Sequence, residues 1–136
     1  MKKAALGIVL TFVVMAVNSS LAQAHFTLHA DIPFSFSIDG KKYAAGHYEL
    51  RSVTEWRVQL QNLETGASGM FMLGGQDYKV GVSAGTPQLR FVVSGAHGYL
   101  VSLTEATGKS YQIQIASRDV EATRRPGVKE ALVALK

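Results

Sequence analysis

The chain has 136 residues, no cysteine, and 14 Lys and Arg against 10 Asp and Glu, for a formal charge of +4. Zero cysteines exclude a disulfide framework and a lipid-modified cysteine, so any core must come from packed apolar faces. The mild positive surplus is spread along the chain and is no footprint for nucleic acid.

Lys2 and Lys3 precede an uncharged apolar run over 4–17, shorter than the ~20 residues a membrane-spanning helix needs. Polar Asn18, Ser19 and Ser20 follow, then Ala22-Gln23-Ala24, an A-x-A cleavage pattern. This predicts a secretory signal peptide over 1–24, with export from a bacterial cell into the periplasm or beyond. The membrane is then met only during export. Cleavage leaves 136 − 24 = 112 residues beginning at His25, with the charge reduced to +2 by the loss of Lys2 and Lys3. That length suits one domain, expected over 25–118 with a charged tail over 119–136.

Residues 26–39 alternate apolar and polar side chains: Phe26, Leu28, Ala30, Ile32, Phe34, Phe36 and Ile38 at even positions, polar residues and Pro33 at odd ones. A period of two belongs to a half-buried strand and to no helix, so one long strand is predicted here. Asp39-Gly40-Lys41-Lys42 reads as a turn. A second strand is expected over 47–53 with Tyr48 and Leu50 inward, and a third over 56–63 with Trp56, Val58 and Leu60 inward. The fourth, over 67–73, is apolar on both sides around Met70-Phe71-Met72-Leu73 and is predicted to be central or covered on both faces. Glycine-rich 74–87 reads as a loop, with a short edge strand at Val80 and Val82. Strands follow over 88–94, 99–104 and 110–117, separated by turns at Gly95-Ala96-His97-Gly98 and Thr107-Gly108-Lys109. Short strands broken by glycine turns indicate an all-β, antiparallel β-sandwich or flattened small barrel. In the tail, 128–135 is left as two helical turns or a last strand, docked or frayed.

Ile32-Pro33-Phe34-Ser35-Phe36, Gly40-Lys41-Lys42-Tyr43 and Ala45-Gly46-His47-Tyr48-Glu49-Leu50 together resemble the opening IPFxFxxxGKxxxAGxYxL. That opening marks a group of small secreted proteins numerous in acidobacterial genomes. Here Ala44 stands where members carry proline. The resemblance implies a secreted all-β domain and carries no activity and no catalytic residues. Gly46 before Tyr48 is also similar to the Gly-x-Tyr strand entry of transthyretin-like and immunoglobulin-like sandwiches, a likeness of architecture only.

His25, once N-terminal, offers an imidazole and an α-amine that chelate copper, with a third nitrogen drawn from His29, His47 or His97. His25 and His29 on one strand would stand about 13 Å apart, so such a site requires the N-terminus to fold back. His29, Asp31, Ser35 and Ser37 are spaced too widely along a strand to act as a triad. Thr107-Gly108-Lys109-Ser110 mimics the end of a phosphate-binding loop, but Leu103 occupies the first glycine's place and no helix follows. Glu49, Glu55, Glu64 and Glu105 form no identifiable acid–base pair. Trp56, Tyr43, Tyr78 and Tyr99 offer an aromatic platform for sugars, or finish the core and its rim. The segment Gly74, Gly75 to Pro87 carrying Tyr78 is the favoured binding loop. The expected role is non-enzymatic binding or structure, with an extracellular or periplasmic protein or glycan as partner; copper binding and carbohydrate binding are the alternatives.

Overall fold

Alternating side chains in short strands leave each strand one apolar face, which is stable only against another such face. The computed structural model describes residues 26–78 and 86–136. The strands run β1 (Thr27–Ile32), β2 (Ser35–Ile38), β3 (Lys41–Tyr43), β4 (Gly46–Thr54), β5 (Arg57–Asn62), β6 (Ser68–Met72), β7 (Gln76–Tyr78), β8 (Gln88–Ser94), β9 (His97–Thr104), β10 (Lys109–Gln112) and β11 (Lys129–Ala134). A single 3-10 turn (Ser117–Asp119) and one helical turn, α1 (Val120–Thr123), precede β11. The first sheet has order β1-β4-β5-β6; the second has order β11-β8-β9-β10-β7, with β2 beside β9 and β3 beside β2. They pack face to face as an all-β sandwich and do not close into a barrel. All pairings are antiparallel except β2 with β9. Among the described residues no helix is long and apolar enough to cross a membrane.

The single strand expected over 26–39 is two strands in different sheets. Pro33 and Phe34 carry the chain from β1 to β2, and the side-chain alternation survives the break: Ile32 and Phe36 are both buried. Main-chain groups of even residues in β1 point toward β4, as the bond from Ser52 N–H to Phe26 C=O shows. Pro33 is odd, so the donor it lacks would have faced away from the ladder. Phe34 then lies over Gly98, where a Cβ would meet its ring carbon Cε2 at 2.4 Å. Asp39 (φ 47°) and Gly40 (φ 84°) make the two-residue turn into β3, both in the left-handed region such hairpins require.

Phe36 sits at the centre of the core, stacked on Tyr43 at 5.3 Å and edge-on to Tyr48 at 5.2 Å and Phe91 at 5.6 Å. Leu50, Val58, Leu60, Leu89, Leu100 and Leu103 complete the layer between the sheets.

Both margins are stitched across. At one, Gly74 N–H donates to Gln112 C=O (2.7 Å) as the chain leaves β6 for β7, and a Cβ on Gly74 would stand 2.7 Å from that oxygen. At the other, Lys136 and His29 exchange main-chain bonds of 2.9 and 3.0 Å. The segment expected as a tail is thus built in: α1 packs on β8, and β11 is the terminal strand of the second sheet.

Two expectations about exposure are corrected. Strand β6 is an edge strand, not a central one, and Met70 and Met72 are 53% and 59% exposed. Trp56 occupies the β4–β5 turn, beyond the last rung of Thr54 with Arg57, and is 42% exposed rather than inward, since strand alternation does not govern a turn residue. The segment at Val80 and Val82 lies outside the described residues.

Candidate functional site

The outer face of the first sheet gathers the titratable side chains. Its odd-numbered residues on β1 and β4 share rungs: Thr27 with Arg51, His29 with Glu49, Asp31 with His47. These rungs do not exchange main-chain bonds, since the even residues do, and side chains of such pairs approach most closely. His47 Nδ1 accordingly donates to the Asp31 carboxylate. On its other side, Nε2 stands 3.8 Å from Glu64 Oε1, and the main-chain N–H of His47 reaches the same oxygen at 3.4 Å. Glu64 is aimed there by the turn after β5, where Asn62 Oδ1 accepts from Glu64 N–H (2.8 Å) and Thr65 N–H (3.0 Å).

The hydrogen bond from His47, and then the imidazolium charge, lower the Asp31 pKa. The same bond and carboxylate charge raise His47, with Glu64 adding to the effect. Two clefts of about 300 and 390 Å³ meet over Asp31 and Pro33. The first is bounded by His29, Leu132 and Lys136, the second by Gly46, His47 and Glu64.

Further along the same face, Glu49, Arg51, Gln59 and Gln61 line a shallow trough of about 90 Å³. Arg51 Nη2 holds Glu49 Oε1 at 2.8 Å. The next rung pairs Arg57 with Met72, beside the turn that carries Trp56.

A separate polar cluster belongs to the second sheet. Parallel pairing sets Ser35 beside His97, so the imidazole spans two hydroxyls: Ser35 Oγ at 3.1 Å from Nδ1 and Ser37 Oγ at 2.7 Å from Nε2. Burial first, then the Lys42 charge, depresses the His97 pKa against a smaller opposing effect of Asp119. A neutral imidazole donates from one nitrogen and accepts at the other, which suits two hydroxyl partners. Ser37 is 4% exposed, so its hydroxyl is sealed from a substrate.

His29 and His47 share one face around Asp31, whereas His97 is on the other sheet and His25 lies outside the described residues. Among the described residues no three His, Asp or Glu side chains converge to hold a metal. Trp56 is in the first sheet's β4–β5 turn and Tyr78 in β7 of the second. Gly74 and Gly75 are held by Gln112 in the crossing between sheets. Tyr43 is buried against Phe36, and Tyr99 packs edge-on to His97 at 5.0 Å. Sequence reasoning missed the Asp31–His47–Glu64 grouping; nothing local signals it, because 16 residues separate the first two. No protein-family model matches the chain, and no curated protein or solved structure matches it.

Proposed function

We propose that the protein is an exported, non-catalytic binding domain that holds a polysaccharide strand against the outer face of its first sheet. The trough of Glu49, Arg51, Gln59 and Gln61 supports this reading. Adjacent rungs there present two primary amides, a guanidinium and a carboxylate, which offer paired donors and acceptors to neighbouring hydroxyls. The trough is small and lies on the outer face of a sheet, a place for an extended polymer to lie across the strands rather than for an enclosed small molecule. Trp56 at the end of the face supplies an exposed ring for a sugar to stack on.

Affinity electrophoresis through gels containing neutral and acidic polysaccharides tests the reading. Retardation by at least one polymer is expected, reduced about tenfold in affinity by R51A/Q59A, an effect equivalent to ~1.4 kcal/mol. Unretarded migration in every gel, or retardation that the double variant leaves intact, overturns it.

A further inference from the structure

We propose that the mouth between the two sheets, where β1 begins and β9 turns into β10, is a binding pocket for an apolar chain that ends in a protonated amine. A pocket of about 290 Å³ opens there, lined by Phe26, Leu28, Pro87, Leu103, Glu105 and Thr107. It lies on the inner side of β1, whereas the trough is on the outer face, so it stands independently of the polysaccharide reading.

Strand parity makes the lining apolar. Even residues of β1 point inward, and at Ala30 and Ile32 the facing sheet buries them. The second sheet ends at this margin, with β8 starting at Gln88 and β9 stopping at Thr104. Phe26 and Leu28 therefore pack against the core yet stay only partly buried, and Leu103, 1% exposed, is the floor beneath them. Main-chain bonds fix the walls. Phe26 C=O accepts from Ser52 N–H (3.1 Å) and Pro87 C=O from Leu135 N–H (2.9 Å), while Glu105 N–H donates to Lys109 C=O across the turn (2.8 Å). A pocket held in this way is preformed, so a ligand loses little affinity to ordering it.

Wetting an apolar slot costs free energy that an apolar ligand recovers on entry. The rim then selects the ligand's head group. Thr107 Oγ1 donates to Glu105 Oε2 at 3.4 Å, and both residues border the opening. Lys109, across the turn, directs its ammonium over the Tyr111 ring, 5.7 Å from the centroid. A carboxylate at the mouth attracts a cation and repels an anion. The chain thus enters between the sheets against Leu28 and Leu103, and its ammonium rests at the rim against Glu105, where water still reaches it.

A proton–carbon NMR titration of the intact protein with n-hexylammonium, n-hexanol and n-hexanoate tests this. Hexylammonium should shift the Leu28 and Leu103 methyls and the Phe26 ring saturably, with a Kd on the order of 1 mM for so small a ligand. Intermolecular NOEs should run from its chain to the same three residues. Hexanol should bind less tightly, and hexanoate least. E105Q, an isosteric change at the rim, should bring hexylammonium down to the affinity of hexanol while the NOEs to Leu28 and Leu103 persist. Absence of NOEs to the three residues, hexanoate binding as tightly as hexylammonium, or an ammonium preference that E105Q retains overturns the proposal.

Discussion

Asp31 and His47 stand opposite each other on β1 and β4, joined by a hydrogen bond from the imidazole Nδ1 to the carboxylate. Their main-chain groups point away from one another while their side chains converge. The pair therefore ties the end of β1, where the chain leaves for the second sheet, to the start of β4.

Stability should carry the signature of that pair across pH. The His47 pKa is raised, so its contribution is complete below 6.5, its ordinary value, and lost as pH rises through the higher folded value. The Asp31 pKa is lowered, so its contribution is present above 3.8 and lost as pH falls through the lower folded value. The melting-temperature difference between the protein and H47A should be largest between these limits and shrink on either side. An NMR titration should find the His47 pKa above 6.5 and returned toward it in D31N.

His97 should behave oppositely. Its pKa is depressed by burial, so above 6.5 it costs nothing, and below that the unfolded chain takes the proton first and stability falls. S37A removes the hydroxyl at its Nε2 and should cost about 1 kcal/mol in urea unfolding, the usual worth of a neutral hydrogen bond. If S37A matched the parent in stability, the Ser–His–Ser contact would not be formed in solution.

Phe36 and Trp56 should separate core from surface. F36A empties the centre of the aromatic cluster and should cost about 3–5 kcal/mol. W56A, at an exposed turn, should cost less than about 0.5 kcal/mol while weakening polysaccharide binding. Chemical denaturation of both variants measures the contrast.

Gly69 is held small by Tyr43, whose hydroxyl oxygen would lie 1.9 Å from a Cβ there. G69A should destabilise by about 1–3 kcal/mol through overpacking. Y43F/G69A should recover part of that loss, since the hydroxyl is the closest obstacle. Strictly additive effects in the double-mutant cycle would show that the two residues do not touch.

The alternation of 26–39 and the turn at Asp39-Gly40 were readable because both are local: a side chain's face follows from its parity, and a hairpin's hand from the φ its two residues accept. The same alternation predicted Tyr48, Leu50, Val58 and Leu60 inside, and they are buried. It also supported the β-sandwich expectation.

What parity cannot carry is which strand lies beside which. Apolar Met70 and Met72 read as central but fall on an edge, because strand order is decided by the whole sheet and not by the strand. Pro33 read as one odd position of a single long strand, yet with Phe34, which packs over Gly98, it forms the crossing between sheets. His29, Asp31 and Ser35 looked like one polar face, yet Asp31 pairs with His47, and Ser35 and Ser37 with His97 on the other sheet. The sequence by itself determined the all-β character, the inward faces of residues such as Tyr48, Leu50, Val58 and Leu60, and the turn at Asp39-Gly40. The tertiary structure decided the sheet partners, the Asp31–His47–Glu64 grouping and the trough, since each depends on register between segments that meet only when the sandwich closes.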